Sequence, residues 1–216
     1  MAVDIADVRV DDPHGAVVRW LTEHDKTVRG YDQHTSQHPD RITARDVLAT
    51  QYTKLRVDGM ELQFFLDRGR SAPWHLVPAD ATLAAADPEE EGGLYDAAEE
   101  LYGHFYRGRL RGLAIGKIHR VLHLKRRHLF PLLDGRLLEL YKDAATEASR
   151  RFRDHGRRGR RGRLYWVAIR DDILAAGDLW DDLRANLATS DGPAALGAEL
   201  SDVRLHDILC WEAVRR

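Results

Sequence analysis

The residues best placed to do chemistry lie between Leu110 and Leu138. Leu113, Ala114, Ile115 and Gly116 read as a short turn between two helices. Gly116 there is free to take a positive φ and to let backbone amides approach a ligand. The helix that follows begins at Lys117, so its unpaired N–H groups and the lysine beside them form an anion site. Asp134 follows Phe130-Pro131-Leu132-Leu133 and precedes another helix. Its carboxylate can either cap that helix or face a cleft.

The charge around these residues is lopsided. The whole chain carries a formal net charge of -2. Between Leu101 and Arg163, however, eighteen Lys and Arg stand against five carboxylates, a net of +13, which leaves -15 for the remainder. Such segregation is the footprint of a protein that reads a phosphate backbone, because each phosphate neutralised releases condensed counterions. Lys117, Arg120, Lys125, Arg126 and Arg127 are the candidate phosphate contacts, with Gly116 at the turn. A second group is Arg157, Arg158, Arg160 and Arg161, within RRFRDHGRRGRRGR at Arg150–Arg163. Its glycines and mutual repulsion predict an exposed loop that orders on an anionic partner. The competing reading has the basic and acidic segments facing each other inside the fold.

Other chemistries find less support. His119 and His123 share a helix face at i, i+4, yet no Glu-x-x-His pattern or cysteine partner completes a ligand set, so no metal and no cofactor is expected. The chain lacks the Gly-x-Ser-x-Gly, phosphate-loop and dinucleotide-binding fingerprints. Its single cysteine, Cys210, forms no disulfide framework and suits a reducing cytoplasm. The acidic opening MAVDIADVRVDD is not a signal peptide, and no apolar run reaches a membrane span. A cytoplasmic protein with no membrane partner is the expectation.

The glycine turn, the basic helix and the acid one helix later resemble the helix-hairpin-helix DNA glycosylase superfamily. Gly116 matches the second glycine of that hairpin and Asp134 the catalytic aspartate. VLATQYT at Val47–Thr53 is similar to a segment of an N-terminal helix in those enzymes, which puts Gln51 near DNA. Ala114 occupies the place of the first hairpin glycine, and Ile118 the place of the Schiff-base lysine. The resemblance therefore implies a monofunctional N-glycosylase, in which Asp134 stabilises an oxocarbenium-like sugar or activates water. The flipped base would enter an aromatic pocket drawn from Trp166, Trp180, Trp211 and Tyr165. GKIHRVLHLKRRHLFPLLDGRL also looks like a family of uncharacterised bacterial proteins of about this length. DNA is the partner implied. The alternatives are a non-catalytic binder of a protein or small anionic ligand, and an enzyme of specialised metabolism acting on a small substrate.

A chain of 216 residues with 44% hydrophobic content can bury a core without disulfides or metal. Helical spacing and caps predict helices from Asp12-Pro13, over Thr43–Val57, Leu94–Phe105, Lys117–Lys125, Gly135–Phe152 and Tyr165–Leu187, the last broken near Gly177-Asp178, and after Ser201. Gly30–Asp40 reads as a loop. The expected architecture is a mostly α helical bundle with a helix-hairpin-helix-like element and a minor strand admitted over residues 60–66. DPEEEGG at Asp87–Gly93 divides it into an N-terminal helical lobe, residues 1–92, and a hairpin-containing lobe, residues 93–216, with one continuous domain as the alternative.

Overall fold

The computed structural model describes residues 2–154 and 164–215. The chain is mostly α-helical, as expected, and folds as two compact units. The first comprises Met1–Thr22 and Leu133–Arg216, and the second Glu23–Leu132. The 87–93 segment lies inside the second unit, away from either junction.

The first unit opens with an antiparallel hairpin, β1 (Val3–Ile5) and β2 (Val8–Val10), joined through Ala6 and Asp7, both at positive φ. Turns with two positive φ values match the twist of paired strands. The sheet thus sits at the N-terminus. Residues 60–66, by contrast, are helical. Helix α1 (Pro13–Glu23) follows, and the Asp12 carboxylate accepts from the Gly15 amide at 2.9 Å.

The second unit begins with a single turn, α2 (Asp25–Thr27), that widens into a π-helical turn over Val28–Asp32. Gly30 therefore belongs to helix rather than loop. Helix α3 (Ala44–Ala49) starts at a reciprocal capping box between Thr43 and Asp46. It tightens into a 3₁₀ turn at Thr50–Thr53, where the Thr50 and Thr53 hydroxyls donate to the carbonyls of Val47 and Thr50. These back-bonds and the left-handed Lys54 end the helix before Val57. Helix α4 (Gly59–Arg70) is nucleated by a second capping box, Asp58 with Glu61, which settles the apolar run there as helix. Helices α5 (Leu94–Tyr106) and α6 (Ile115–Lys125) form a hairpin whose connection carries its positive φ at Gly108 and Gly112.

The chain then returns to the first unit through α7 (Gly135–Leu140), α8 (Lys142–Asp154), α9 (Leu164–Ala176), α10 (Leu179–Ala188) and α11 (Asp202–Ala213). Ser201 caps α11 through the Arg204 amide, and Gly177 at positive φ breaks α9 from α10. The helix expected over Gly135–Phe152 is interrupted at Tyr141. No described helix is long and apolar enough to cross a membrane.

One polar cluster organises the second unit. Lys125, its side chain fully buried, donates to Asp46 at 2.6 Å, to Ser36 Oγ at 2.5 Å and to the His38 carbonyl at 2.9 Å. Arg126 donates to the carbonyls of Val77 and Pro39 and to the Asp40 carboxylate. Arg127 donates to the carbonyls of Asp32 and His34. Burial by itself would raise the Asp46 pKa. The Lys125 ammonium, His34 and Thr43 override it and hold the carboxyl well below its usual range. Burial pulls the Lys125 pKa down, against the pull of Asp46. Three acceptors within 2.9 Å replace the water that the ammonium gives up on burial. Removing one partner leaves the other an uncompensated buried charge. Asp46→Ala should cost about 3–5 kcal/mol in denaturant unfolding. In a double-mutant cycle, Lys125→Met added to Asp46→Ala should cost much less than it does alone.

Candidate functional site

The second unit holds a cleft of about 870 Å³, lined by Arg29, Gly30, Gln33, His34, Arg45, Leu48, Ala49, Gln51 and Tyr52. Its lining includes two arginines and no carboxylate. The π turn supplies one wall and α3 with its 3₁₀ extension the other. Single π turns are rare and recur at functional sites. A Cβ on Gly30 would lie 2.3 Å from the Tyr52 ring, so only glycine lets that ring rest against the backbone. Tyr52 is 54% exposed and Leu48 45%, a large apolar rim on an otherwise polar opening. Ala49 joins Tyr31, Leu124 and Leu132 in a buried apolar cluster beneath.

Within the cleft, His34 Nε2 lies 2.9 Å from Asp46 Oδ1. Asp46 accepts from Thr43 and Lys125 as well, so it acts as the hydrogen-bond acceptor and Nε2 carries the proton. Arg127 fixes the His34 carbonyl. The ring is therefore held at both ends of its residue, with the Nδ1 atom making no hydrogen bond. Carboxylate-held histidines of this kind have their tautomer and orientation set in advance. Arg29 donates from Nε to Asp25 at 2.7 Å and keeps its terminal nitrogens for other partners.

The residues singled out from the sequence are distributed otherwise. Gln51 is exposed and lines the cleft. Gly116 is buried in the first turn of α6 in right-handed conformation, and its carbonyl accepts from Arg120 at 3.1 Å. The expected positive φ and open amides at Gly116 are corrected accordingly, since the turn belongs to Gly108 and Gly112. Lys117 donates to both oxygens of Glu61 at 2.6 Å. Arg120, Lys125 and Arg126 are 5%, 4% and 1% exposed. They and Arg127 bind internal carbonyls and carboxylates, so their charge faces the protein interior rather than an outside phosphate. This is the arrangement in which basic and acidic segments meet within the fold. Arg157, Arg158, Arg160 and Arg161 lie outside the described residues.

Asp134 belongs to the first unit, whereas Gly116 and Lys117 belong to the second. Its carboxylate accepts from the Arg136 and Leu137 amides at 2.9 and 3.2 Å, the geometry of a helix cap. The aromatic residues expected around a flipped base are spread through the first unit. Trp166 and Trp180 are core, the latter donating to the Ile173 carbonyl, and the Arg136 guanidinium covers Trp211 at 5.0 Å. His119 and His123 are buried, bonded to the carbonyls of Ile115 and Phe130.

A family model matches residues 15–214. The chain belongs to the family of unknown function DUF6308. No curated protein and no solved structure matches it. The match spans both units of this DUF6308 chain, including the whole cleft.

The first unit carries its own polar network, which the sequence did not announce. Tyr141 donates to Asp172 Oδ2 at 2.5 Å and lies 2.7 Å from His206 Nε2, while the Ala6 amide donates to the same carboxylate oxygen. Cys210 Sγ sits 3.6 Å from His206 Nδ1. Burial pushes the Cys210 thiol pKa up, which makes it a poor nucleophile. Burial would lower the His206 pKa, but the Cys210 sulfur and Asp172 push it up to about 10. Burial would raise Asp172, but His206 and Tyr141 hold it below its ordinary value. What His206 adds to stability is complete below its ordinary 6.5 and is lost as pH rises through about 10. What Asp172 adds is complete above 3.8 and is lost on acidification. Denaturant unfolding of the wild type between pH 7 and pH 10 should show falling stability. Asp172→Asn, which removes one cause of the His206 shift, should be less stable at pH 7 and fall less over that interval.

Proposed function

We propose that the protein binds single-stranded nucleic acid, with one short stretch of the strand seated in the cleft of the second unit. The observation that carries this reading is the makeup of the lining. Two arginines, an exposed tyrosine and two glutamines share one opening without a carboxylate. Arg29 and Arg45 supply cations for phosphate, and the planar guanidinium suits phosphate bidentately. Tyr52, braced against Gly30, offers a stacking face for a base, a contact that tolerates any sequence because every base has a π-face. Gln51 and Gln33 carry donors and acceptors for base edges. A duplex offers its bases only at their edges, so the exposed tyrosine favours an unpaired strand. Asp134 has no part in this reading, because its carboxylate serves α7.

Binding of a short single-stranded oligonucleotide, followed by fluorescence anisotropy across a salt series, tests it. Affinity should fall with salt at a log–log slope of about -0.7 per phosphate engaged. Tyr52→Ala should weaken binding by about 1–3 kcal/mol whatever the sequence. Arg45→Ser should weaken it and flatten the salt slope. An affinity that is absent in the wild type, or indifferent to both substitutions, would sink the proposal.

A further inference from the structure

His34 is the one titratable side chain of the cleft lining with a buried carboxylate aligned behind it. Its Nε2 is engaged by Asp46 at 2.9 Å, and the Asp46 carboxylate is itself pinned by the Lys125 ammonium and the Thr43 amide and hydroxyl. That leaves Nδ1 with its lone pair and without a hydrogen bond, on a residue bordering a cleft that holds two guanidinium groups. An oriented imidazole base beside cations that can take up developing charge is the equipment of acid–base catalysis at phosphorus. The lining supplies a base and cations but no serine, threonine or cysteine. A substrate that brings its own nucleophile needs nothing more, and ribose does so through its 2′-hydroxyl, held next to the phosphate it attacks.

We infer that the cleft cleaves single-stranded RNA by internal transesterification, with His34 as the general base. The inference rests on the reading that the cleft holds a single strand. His34 Nδ1 takes the 2′-hydroxyl proton, and the 2′ oxygen forms a bond to the adjacent phosphorus. The bond from phosphorus to the 5′ oxygen breaks, and that oxygen takes a proton from water. The resulting hydroxide accepts the proton that His34 had gained. The products are a 2′,3′-cyclic phosphate and a 5′-hydroxyl end, with no net change in the protein. Arg45 and Arg29 stabilise the added charge on the phosphoryl oxygens in the transition state. Asp46 is a positioning residue, fixing the tautomer and stabilising the imidazolium.

The experiment compares three oligonucleotides of one sequence, RNA, 2′-O-methyl RNA and DNA, against the full-length wild type and His34→Gln purified in parallel. Binding is read by anisotropy and products by mass. The expected result is binding of all three strands and cleavage of RNA alone, leaving a cyclic phosphate. His34→Gln should cut RNA about 10²- to 10⁴-fold more slowly, compared at protein concentrations at which anisotropy shows the strand fully bound. RNA that is bound but left intact, or cut equally by His34→Gln, overturns the general-base assignment while the binding reading stands. Cleavage of the 2′-O-methyl strand by the wild type overturns the mechanism without recourse to any variant. Failure of all three strands to bind overturns this inference together with the reading it rests on.

Discussion

Three consecutive cations at the end of α6 are turned inward, and the second unit is built around that fact. A buried ion costs several kcal/mol unless opposite charge and hydrogen bonds replace its water. For Lys125, Arg126 and Arg127 the replacements come from one polar stretch, Asp32–Asp40, together with Asp46 and the carbonyls of Trp74 and Val77. The dependence runs both ways. The stretch has few apolar residues to bury and would have little reason to hold one shape alone. If it moves, the cations lose their partners, so its position is enforced by the desolvation cost of the charges it covers. Placement at the C-terminal end of α6 adds the favourable field of the helix dipole. His34 lies in this stretch, and Asp46 serves both Lys125 and His34. The cleft wall and the cation cluster are thus one hydrogen-bonded structure.

The local signals in the sequence were mostly faithful and the long-range ones were not. Asp12, Asp134 and Ser201 cap helices in the structure, because capping is decided within a few residues. Asp58, which reads as a stop, instead caps α4, and Asp178, which reads as a cap, makes no side-chain capping bond. The break at Gly177 follows from the same local rule. Lys125-Arg126-Arg127 could not be placed from composition. Whether a basic run faces water depends on partners such as Asp46 and Asp40, which lie 79 and 86 positions away. The expectation of an internal match between basic and acidic segments was physically right for these residues. The cleft was nearly invisible. Its lining comes from a stretch that reads as loop and from the outer face of a short helix, and a π turn has no dependable sequence signature. Gln51 alone had been singled out, through a resemblance rather than through chemistry. The hairpin at Val3–Val10 was missed because two strands of three residues give alternation too little length to register.

Both units bury titratable groups, but the surroundings give those groups different capacities. In the first unit Tyr141, Asp172, His206 and Cys210 satisfy one another in the interior, and the burial that holds them also suppresses the thiolate. Tyr141 stands where α7 gives way to α8, so its hydroxyl reaches the network from a helix junction rather than from the middle of a helix. Such a network specifies packing. In the second unit His34 engages a buried carboxylate through one nitrogen and is one of the residues that line the cleft. A histidine gains chemical use when one nitrogen is committed and the other is left to meet a ligand.

The inward cations also limit what kind of ligand the cleft can take. A protein that tracks a long backbone spreads many exposed cations along a groove, and its affinity collapses steeply with salt. Here much of the basic block between Leu101 and Lys142 is spent on internal carbonyls and carboxylates, and the cleft retains Arg29 and Arg45. About 870 Å³ is the size of a small-ligand pocket, room for a nucleotide or two rather than a long track. Two guanidinium groups likewise suit one or two phosphates. Under the proposed single-strand reading, recognition would depend on stacking and hydrogen bonds at a single point in a strand, with modest electrostatic support. On that reading, selectivity would favour an unpaired, accessible nucleotide over strand length or overall charge.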